Sequence, residues 1–487
     1  MDGFSQELTS DVSICHLSND EIWLPVNWNP LNDFAHPRVV RSILKTYDLQ
    51  PSSMDVLMQS EREALSGLPD MPSEKWVINW MVTADGLSTK LSRPLHDPSQ
   101  PCTTIAPLGA DISCVVVRIF NPNFIKFHST SSREISQANQ VQNEVASMHL
   151  IRNGPWKSGV PSSPLRDGIS PLIPQVYAWQ PVDPRLRQAG WIMMEFKPGE
   201  KLSTIYPHLP FPKKGALIAQ LARMLFLIQD VRLPQDVIHH GGLTIHESGR
   251  IVSGISPWCG GPWNTFSQSW MHVINARFER HRSVLSEDAQ HQIKPAISKI
   301  PKWFQRAQVS ESHKTLIHGN LEMENILYSS EPGRITALLG FGSCRISHPS
   351  LEFILSFSDI GGNINFSGLN SATNQLFVQK IISRSASIYN LRHLEPSAIN
   401  QYALLSFWND MLAVYGAERP VDIKGISEIK FVSRISRFLQ GIEAEVSQST
   451  NQFRAINETD ETTSNPLKWY SQGLIDCIDC LEKSIQQ

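Results

Sequence analysis

Two apolar runs joined through polar loops constrain this chain more than any other feature. Leu316-Ile317-His318-Gly319-Asn320-Leu321-Glu322-Met323-Glu324-Asn325-Ile326-Leu327 is followed by Arg334-Ile335-Thr336-Ala337-Leu338-Leu339-Gly340-Phe341-Gly342. The first run reads as a strand, a loop carrying a histidine and two asparagines, and a second strand. The second run returns as a hairpin partner and ends in a glycine-bounded loop. Loops held at strand ends by a rigid scaffold are where chemistry-bearing residues concentrate.

The rest of the chain supplies the scaffold. At 487 residues it is long enough for a large core or two to three domains. Lysine plus arginine is 43 against 46 acids, a formal charge of -3, which argues against a nucleic-acid or anionic-membrane partner. The N-terminus, Met1-Asp2-Gly3-Phe4-Ser5-Gln6-Glu7-Leu8, has no basic region or apolar run of a secretory signal. No stretch reaches the roughly 20 apolar residues of a membrane span. Seven cysteines, an odd number and scattered, fit a cytosolic protein with free thiols. Cys477 and Cys480 form a lone C-x-x-C, read as two thiols one turn apart on a terminal helix.

Residues 1–70, with Trp23, Trp28 and prolines at 25, 30 and 37, read as an N-terminal extension with short helical patterns over 37–65. Residues 71–197 read as a strand-rich lobe. Trp76–Val82 alternates, Asp85-Gly86-Leu87-Ser88-Thr89-Lys90-Leu91 is a turn entering a second strand, and Cys114–Phe120 is a β-branched run. Helical period follows over 136–152, then a strand at Trp191–Phe196 that ends in the turn Lys197-Pro198-Gly199-Glu200. Residues 198–446 read as a helical lobe. Leu217, Leu221, Met224, Leu225 and Ile228 form a core-facing stripe. A hairpin turns at Glu247-Ser248-Gly249, and helices cover 264–284, 371–386, 398–416 and 425–445. Residues 447–466 read as a flexible polar loop and 467–487 as a C-terminal helix. The plan is α+β and two-lobed, with a cleft where the lobes meet.

Arg118 lies inside an apolar strand and Glu144 lies on the following helix. A cation on a buried strand must be paired to be tolerated, so the two are expected to meet. With these residues and the 316–342 region in view, the chain resembles the aminoglycoside phosphotransferase and choline/ethanolamine kinase families, which share the protein-kinase-like fold. Val115-Val116-Val117-Arg118-Ile119-Phe120 is similar to the choline/ethanolamine kinase strand V-L-V-R-I-Y. Asp85–Leu91 is similar to its glycine-containing loop, and Gln142-Asn143-Glu144-Val145 to the helix of the ion-pair glutamate. His318-Gly319-Asn320-Leu321 with Asn325 is similar to the catalytic loop H-G-D-L-x-x-x-N, and residues 335–342 to the I-D-F/W metal loop. Ser347–Phe353, Asp359-Ile360-Gly361-Gly362 and Pro257–Trp263 look most like fungal members of the aminoglycoside phosphotransferase family.

The resemblance implies a nucleotide-binding lobe over 71–197, with ATP and Mg²⁺ as cofactors. It implies that Arg118, held by Glu144, contacts phosphates, that Ser88 and Thr89 belong to the loop over them, and that Met194 and Glu195 form the hinge against an adenine. It implies a structural role for His318 and metal binding by Asn325. At the two acid positions of the family this chain carries Asn320 and Gly340. An amide cannot take up a proton at neutral pH, and glycine has no side chain to offer magnesium, a hard cation that wants oxygen ligands.

Three readings follow. In the first the chain is a catalytically impaired phosphotransferase that binds a nucleotide, a metabolite or a protein partner. In the second it is an active small-molecule kinase with acids supplied from elsewhere, Glu322 or Glu352 being the candidates. In the third the fold serves different chemistry, such as a step in a fungal biosynthetic pathway. Trp258, Trp263 and Trp408 are candidate lining residues for an apolar or aromatic small-molecule ligand.

Overall fold

The structure, a computed structural model, describes residues 37–57, 77–96, 100–120, 139–157, 168–183, 188–331, 333–365, 372–383, 395–452 and 466–486. Trp23, Trp28, Trp76 and the helical pattern at 61–65 lie outside those residues, as does 453–465 of the polar segment.

The β-branched run makes strand β3, Cys114–Phe120, and the rest of the first lobe is built around it. A five-stranded antiparallel sheet has the order β1 (Pro51–Leu57), β2 (Val77–Ala84), β3, β5 (Gly190–Glu195), β4 (Val176–Gln180). Successive side chains of β3 go to opposite faces. Val115, Val117 and Ile119 enter an outer core with α1 (Pro37–Thr46) and α2 (Leu87–Leu91). Val116 and Phe120 join the main core, which continues into the second lobe. Arg118 shares their parity, which sends it to the inner face, toward the cleft. Helix α3, Gln140–Asn153, follows β3.

The second lobe begins after β5. In order it contains β6 (Glu200–Lys201), α4 (Leu202–Ile205), α5 (Phe211–Gln229) and the hairpin β7 (Gly242–Ile245) and β8 (Ile251–Gly254). Then come α6 (Phe266–His281), α7 (Glu287–Arg306), β9 (Thr315–Ile317), β10 (Ile326–Ser329), β11 (Arg334–Leu338) and β12 (Arg345–Ser347). Helices α8 (Glu352–Leu355), α9 (Ala372–Ile382), α10 (Pro396–Tyr415), α11 (Ile426–Gln452) and α12 (Pro466–Gln486) complete it. β10 pairs with both β11 and β6, and β12 pairs with β9, so the loops after β9 and β11 are held side by side.

Four expectations are corrected. Asp85–Leu91 does not enter a strand: Gly86 turns at φ 75° into helix α2. Leu87 and Leu91, one helical turn apart, both bury on the outer core, and this spacing selects the helix. Residues 51–57 are not helical and not an extension but the edge strand β1. Its mostly exposed Pro-Ser-Ser-Met-Asp pattern hid it, as edge strands tend to be polar and to tolerate proline at their start. Helix α11 runs on to Gln452, six residues into the polar segment. Helix α7, with no helix expected there, contains Pro295 and Pro301 and is started by Ser286, which caps Ala289 N, and by Glu287 and Asp288.

Candidate active site in the interlobe cleft

Arg118 and Glu144 meet as expected. Arg118 Nε lies 3.3 Å from Glu144 Oε1, and the two side chains are 4% and 2% exposed. The pair lies against the loop after β11: a Cβ on Gly342 would be 3.6 Å from Glu144 Oε2 and 3.9 Å from Arg118 Nη2. Helix α3 is fixed in this position by amides. Fully buried Asn143 donates to Cys344 O at 2.9 Å and accepts from Leu243 N at 2.8 Å. Asn139 donates to Leu243 O and Ile255 O, both at 2.8 Å, and Gln142 Oε1 accepts from Ile245 N at 3.0 Å. These bonds satisfy backbone groups of the β7–β8 hairpin that burial would otherwise penalise. The sequence signal for them was a set of polar residues on a helix that is buried nearly all round.

The loop after β9 is held from below by Glu352. This residue, with no exposure at all, accepts from His318 N at 2.6 Å, from Gly319 N at 3.0 Å and from Ser356 Oγ at 2.6 Å. Ser356 Oγ in turn accepts from Leu321 N at 2.9 Å. Burial raises the Glu352 carboxyl, and these hydrogen bonds with Arg345 nearby oppose the rise. Gly319 has φ 71°, and a Cβ there would come within 2.9 Å of Ser343 O, so the turn requires glycine. His318 is fully buried and meets Phe341 edge to face at 5.1 Å. Burial pushes its imidazole down to about 3, so it is neutral.

Three of the sequence-identified positions come together at the loop tips. Asn325 Nδ2 donates to Asn320 O at 3.0 Å, and Leu339 N donates to Asn325 O at 2.8 Å. Gly340 is left-handed at φ 79°, ψ 36°. A Cβ on it would lie 2.7 Å from Asn325 Cγ, 2.8 Å from Oδ1 and 2.9 Å from Nδ2. The Asn325 amide therefore stands where a side chain of residue 340 would leave the backbone. Asn320 is half-buried, and among the described residues its side chain makes no hydrogen bond. Among the described residues no three histidines, cysteines, aspartates or glutamates converge as a metal site.

The other candidates have local partners. Glu322 accepts from Ser358 N at 3.1 Å, from Ser358 Oγ at 2.6 Å and from Asp359 N at 3.3 Å. Asp359 accepts from Met323 N at 2.5 Å. Glu324 pairs with Lys201 and accepts from Ser203 Oγ at 2.6 Å. Ser88 exchanges hydrogen bonds with Ile112 N and O, and Thr89 is exposed. The register puts both far from the ion pair: Thr83 faces Cys114, whereas Arg118 lies four residues, or about 13 Å, further along β3. Met194 faces Val116 on one side and Val176 on the other, and Glu195 N donates to Gln175 O at 2.8 Å. Both residues are within the sheet, and the chain leaves it at Phe196 and Lys197.

Of the tryptophans, Trp258 reaches the site: its indole N–H donates to Gly342 O at 2.9 Å. Trp408 is 1% exposed in the core against Phe357, and Trp263 packs against His272 with tilted rings, centroids 4.7 Å apart. Cys477 is buried, donates to Phe431 O and has its thiol pushed up to about 12 by burial, which makes it a poor redox centre. No helix among the described residues is long and apolar enough to cross a membrane.

Residues 116–368 match the model of the phosphotransferase enzyme family, APH. Among solved structures the chain is similar to the gentamicin–APH(2")-IIa complex, at 10% identity and a TM-score of 0.41 over 92% of this chain and 95% of that one. It is similar to a putative aminoglycoside phosphotransferase from Ralstonia eutropha, at 10% identity and 0.43 over 93% and 98%. It is also similar to an ethanolamine kinase of Plasmodium vivax, at 11% identity and 0.37 over 88% and 82%. No curated protein matches. The family match spans Arg118, Glu144, the loop of His318 and the loop of Gly340, more than half of the sequence, and on that ground the chain belongs to the phosphotransferase enzyme family.

Proposed function

We propose that this protein is a phosphotransferase-family member impaired in phosphoryl transfer, whose cleft binds a nucleotide, another small molecule or a protein partner without turning over ATP. The observation that carries this reading is the Asn325 amide packed against Gly340, 2.7 Å from where a Cβ would begin. In this family's chemistry one acid takes the proton of the attacking hydroxyl and another holds the metal on the phosphates. Here the amide of Asn320 cannot serve as a base, and the Asn325 oxygen stands beside a residue with no ligand to offer. These groups do not suit a magnesium ion.

An active enzyme is favoured by one observation, the intact and buried Arg118–Glu144 pair against the loop of Gly342. Its substitute acids are occupied, however. Glu352 is committed to the amides of residues 318 and 319, and Glu322 to Ser358 and Asp359. The retained ion pair is equally suited to a cleft that holds a phosphate without transferring it. The half-exposed Trp258, the one candidate tryptophan at the cleft, favours a ligand with an aromatic or apolar part.

The test is ATP turnover by the wild-type chain and by Asn320→Asp/Gly340→Asp. Loss of an acid–base group costs about two to four powers of ten in rate. The wild type is expected at background, and a gain in the double variant requires the Asn325 amide to move aside, since a Cβ on residue 340 would lie 2.7 Å from it. Wild-type turnover of about 1 s⁻¹ or more, ordinary for a kinase, overturns the reading.

A further inference from the structure

Helix α11 carries three cations, Lys430, Arg434 and Arg437, at i, i+4 and i+7, which places them on one stripe. Among the described residues, neither Lys430 nor Arg434 has a side-chain hydrogen bond or ion pair. Both are half-buried, and Arg434 Nε is shut off from solvent with no acceptor. Burial and the neighbouring Arg434 push the Lys430 ammonium down to about 8, and burial, with a smaller contribution from Arg434, lowers Arg437. Among the described residues, the groups next to this stripe on α12 form no ion pair with it. Cys477 on α12 is a neutral thiol beside Lys430 and Arg434, and Asp476 accepts from Gln472 at 2.8 Å. Arg277 on α6 adds another cation nearby, bound to Ser436.

Like charges gathered in a partly desolvated place raise one another's energy. Among the described residues, no carboxylate forms an ion pair with Lys430 or Arg434. An arginine fork beside an ammonium is also the donor set that tetrahedral oxyanions take. We propose that the Lys430–Arg434–Arg437 stripe is a binding site for a phosphate-type oxyanion, free or borne by a small metabolite.

The site is wired to the catalytic-loop remnant. Arg437 donates to Asn365 O, and Ser433 exchanges hydrogen bonds with the Asn365 side chain at 2.7 and 3.0 Å. Asn365 N donates to Asn363 Oδ1 at 2.8 Å, and Asn363 Nδ2 donates to Ser356 O at 3.0 Å. Ser356 is the hydroxyl that holds Glu352 and Leu321 N. An anion on α11 therefore bears on the segment that braces residues 318–321. This is a second site, independent of whether the cleft transfers phosphate.

The experiment is thermal unfolding of the full chain in 10 mM inorganic phosphate, 10 mM glycerol phosphate or chloride at matched ionic strength. Wild type, Lys430→Gln/Arg434→Gln and Arg434→Lys are compared. Wild type should gain about 2 °C in at least one phosphate over chloride. A gain with both points to the bare anion, and a gain with glycerol phosphate alone points to a phosphorylated metabolite. The double variant should lose the gain while melting no lower than wild type in chloride, because mutual repulsion has been removed. Arg434→Lys should retain a weaker gain. The proposal is overturned by a wild type indifferent to both phosphates, by a gain that persists in the double variant, or by a double variant that fails to fold. The last result means that the two cations already have partners within the chain.

Discussion

The contact between Asn325 and Gly340 is the smallest feature of the candidate site. Four residues of the candidate site, His318, Asn320, Asn325 and Gly340, were legible because they lie within one strand–loop–hairpin passage where sequence order fixes neighbourhood. Their occupation was not legible. Nothing in the order of residues says that the Asn325 amide turns to Asn320 O and closes on residue 340. At the same scale three buried histidines set a pH dependence. Burial holds His240 down to about 4, and His318 and His348 down to about 3. The hydrogen bond to Glu311 O opposes the effect on His240, and the charge of Lys314 adds to it. In the unfolded chain each takes up a proton below about 6.5. The folded state does not, so their contribution is complete above pH 6.5 and is lost progressively as pH falls toward 3. Between pH 6.5 and 5.5 the loss is about 1 kcal/mol per histidine. The melting temperature should be lower at pH 5.5 than at 7.5, and His348→Asn, which cannot protonate, should shrink the difference. Equal melting temperatures at the two pH values would contradict this.

Among the elements, α3 decides the geometry of the cleft. It carries Glu144 to Arg118, and its amides hold the β7–β8 hairpin and the chain at Cys344. Asn143→Ala removes one partner from each of two buried backbone groups, at a cost of about 2–4 kcal/mol of unfolding free energy. Urea denaturation measures it, and a loss under about 0.5 kcal/mol would show that the hairpin does not depend on this side chain. Strand β3 and the hairpin were readable from β-branched runs and turn residues. Helix α7 was not, because its two prolines mask a helix whose start is fixed by Ser286. Strand β1 was hidden by the polarity of an edge, and α2 by two leucines whose helical spacing reads equally well as part of a strand entry. The position of Ser88 and Thr89 depends on strand register, which pairing across the sheet sets and no local pattern reveals.

At the scale of the molecule, one core runs from the inner face of the first lobe's sheet to α12, and the ion pair, the glycine loop and Trp258 converge where the lobes meet. The two-lobed plan was legible because β-rich and helix-rich stretches follow each other in the chain. What the cleft retains is the buried Arg118–Glu144 pair against the loop of Gly342. At the two positions where the family resemblance implies acids, it carries Asn320 and Gly340. The most direct measurement is a calorimetric titration of the full chain with a non-hydrolysable ATP analogue, with and without Mg²⁺. The account predicts that any binding is indifferent to magnesium, because Asn320, Asn325 and Gly340 give the ion no carboxylate. Micromolar binding that requires magnesium would contradict it and would return the protein to the active phosphotransferases.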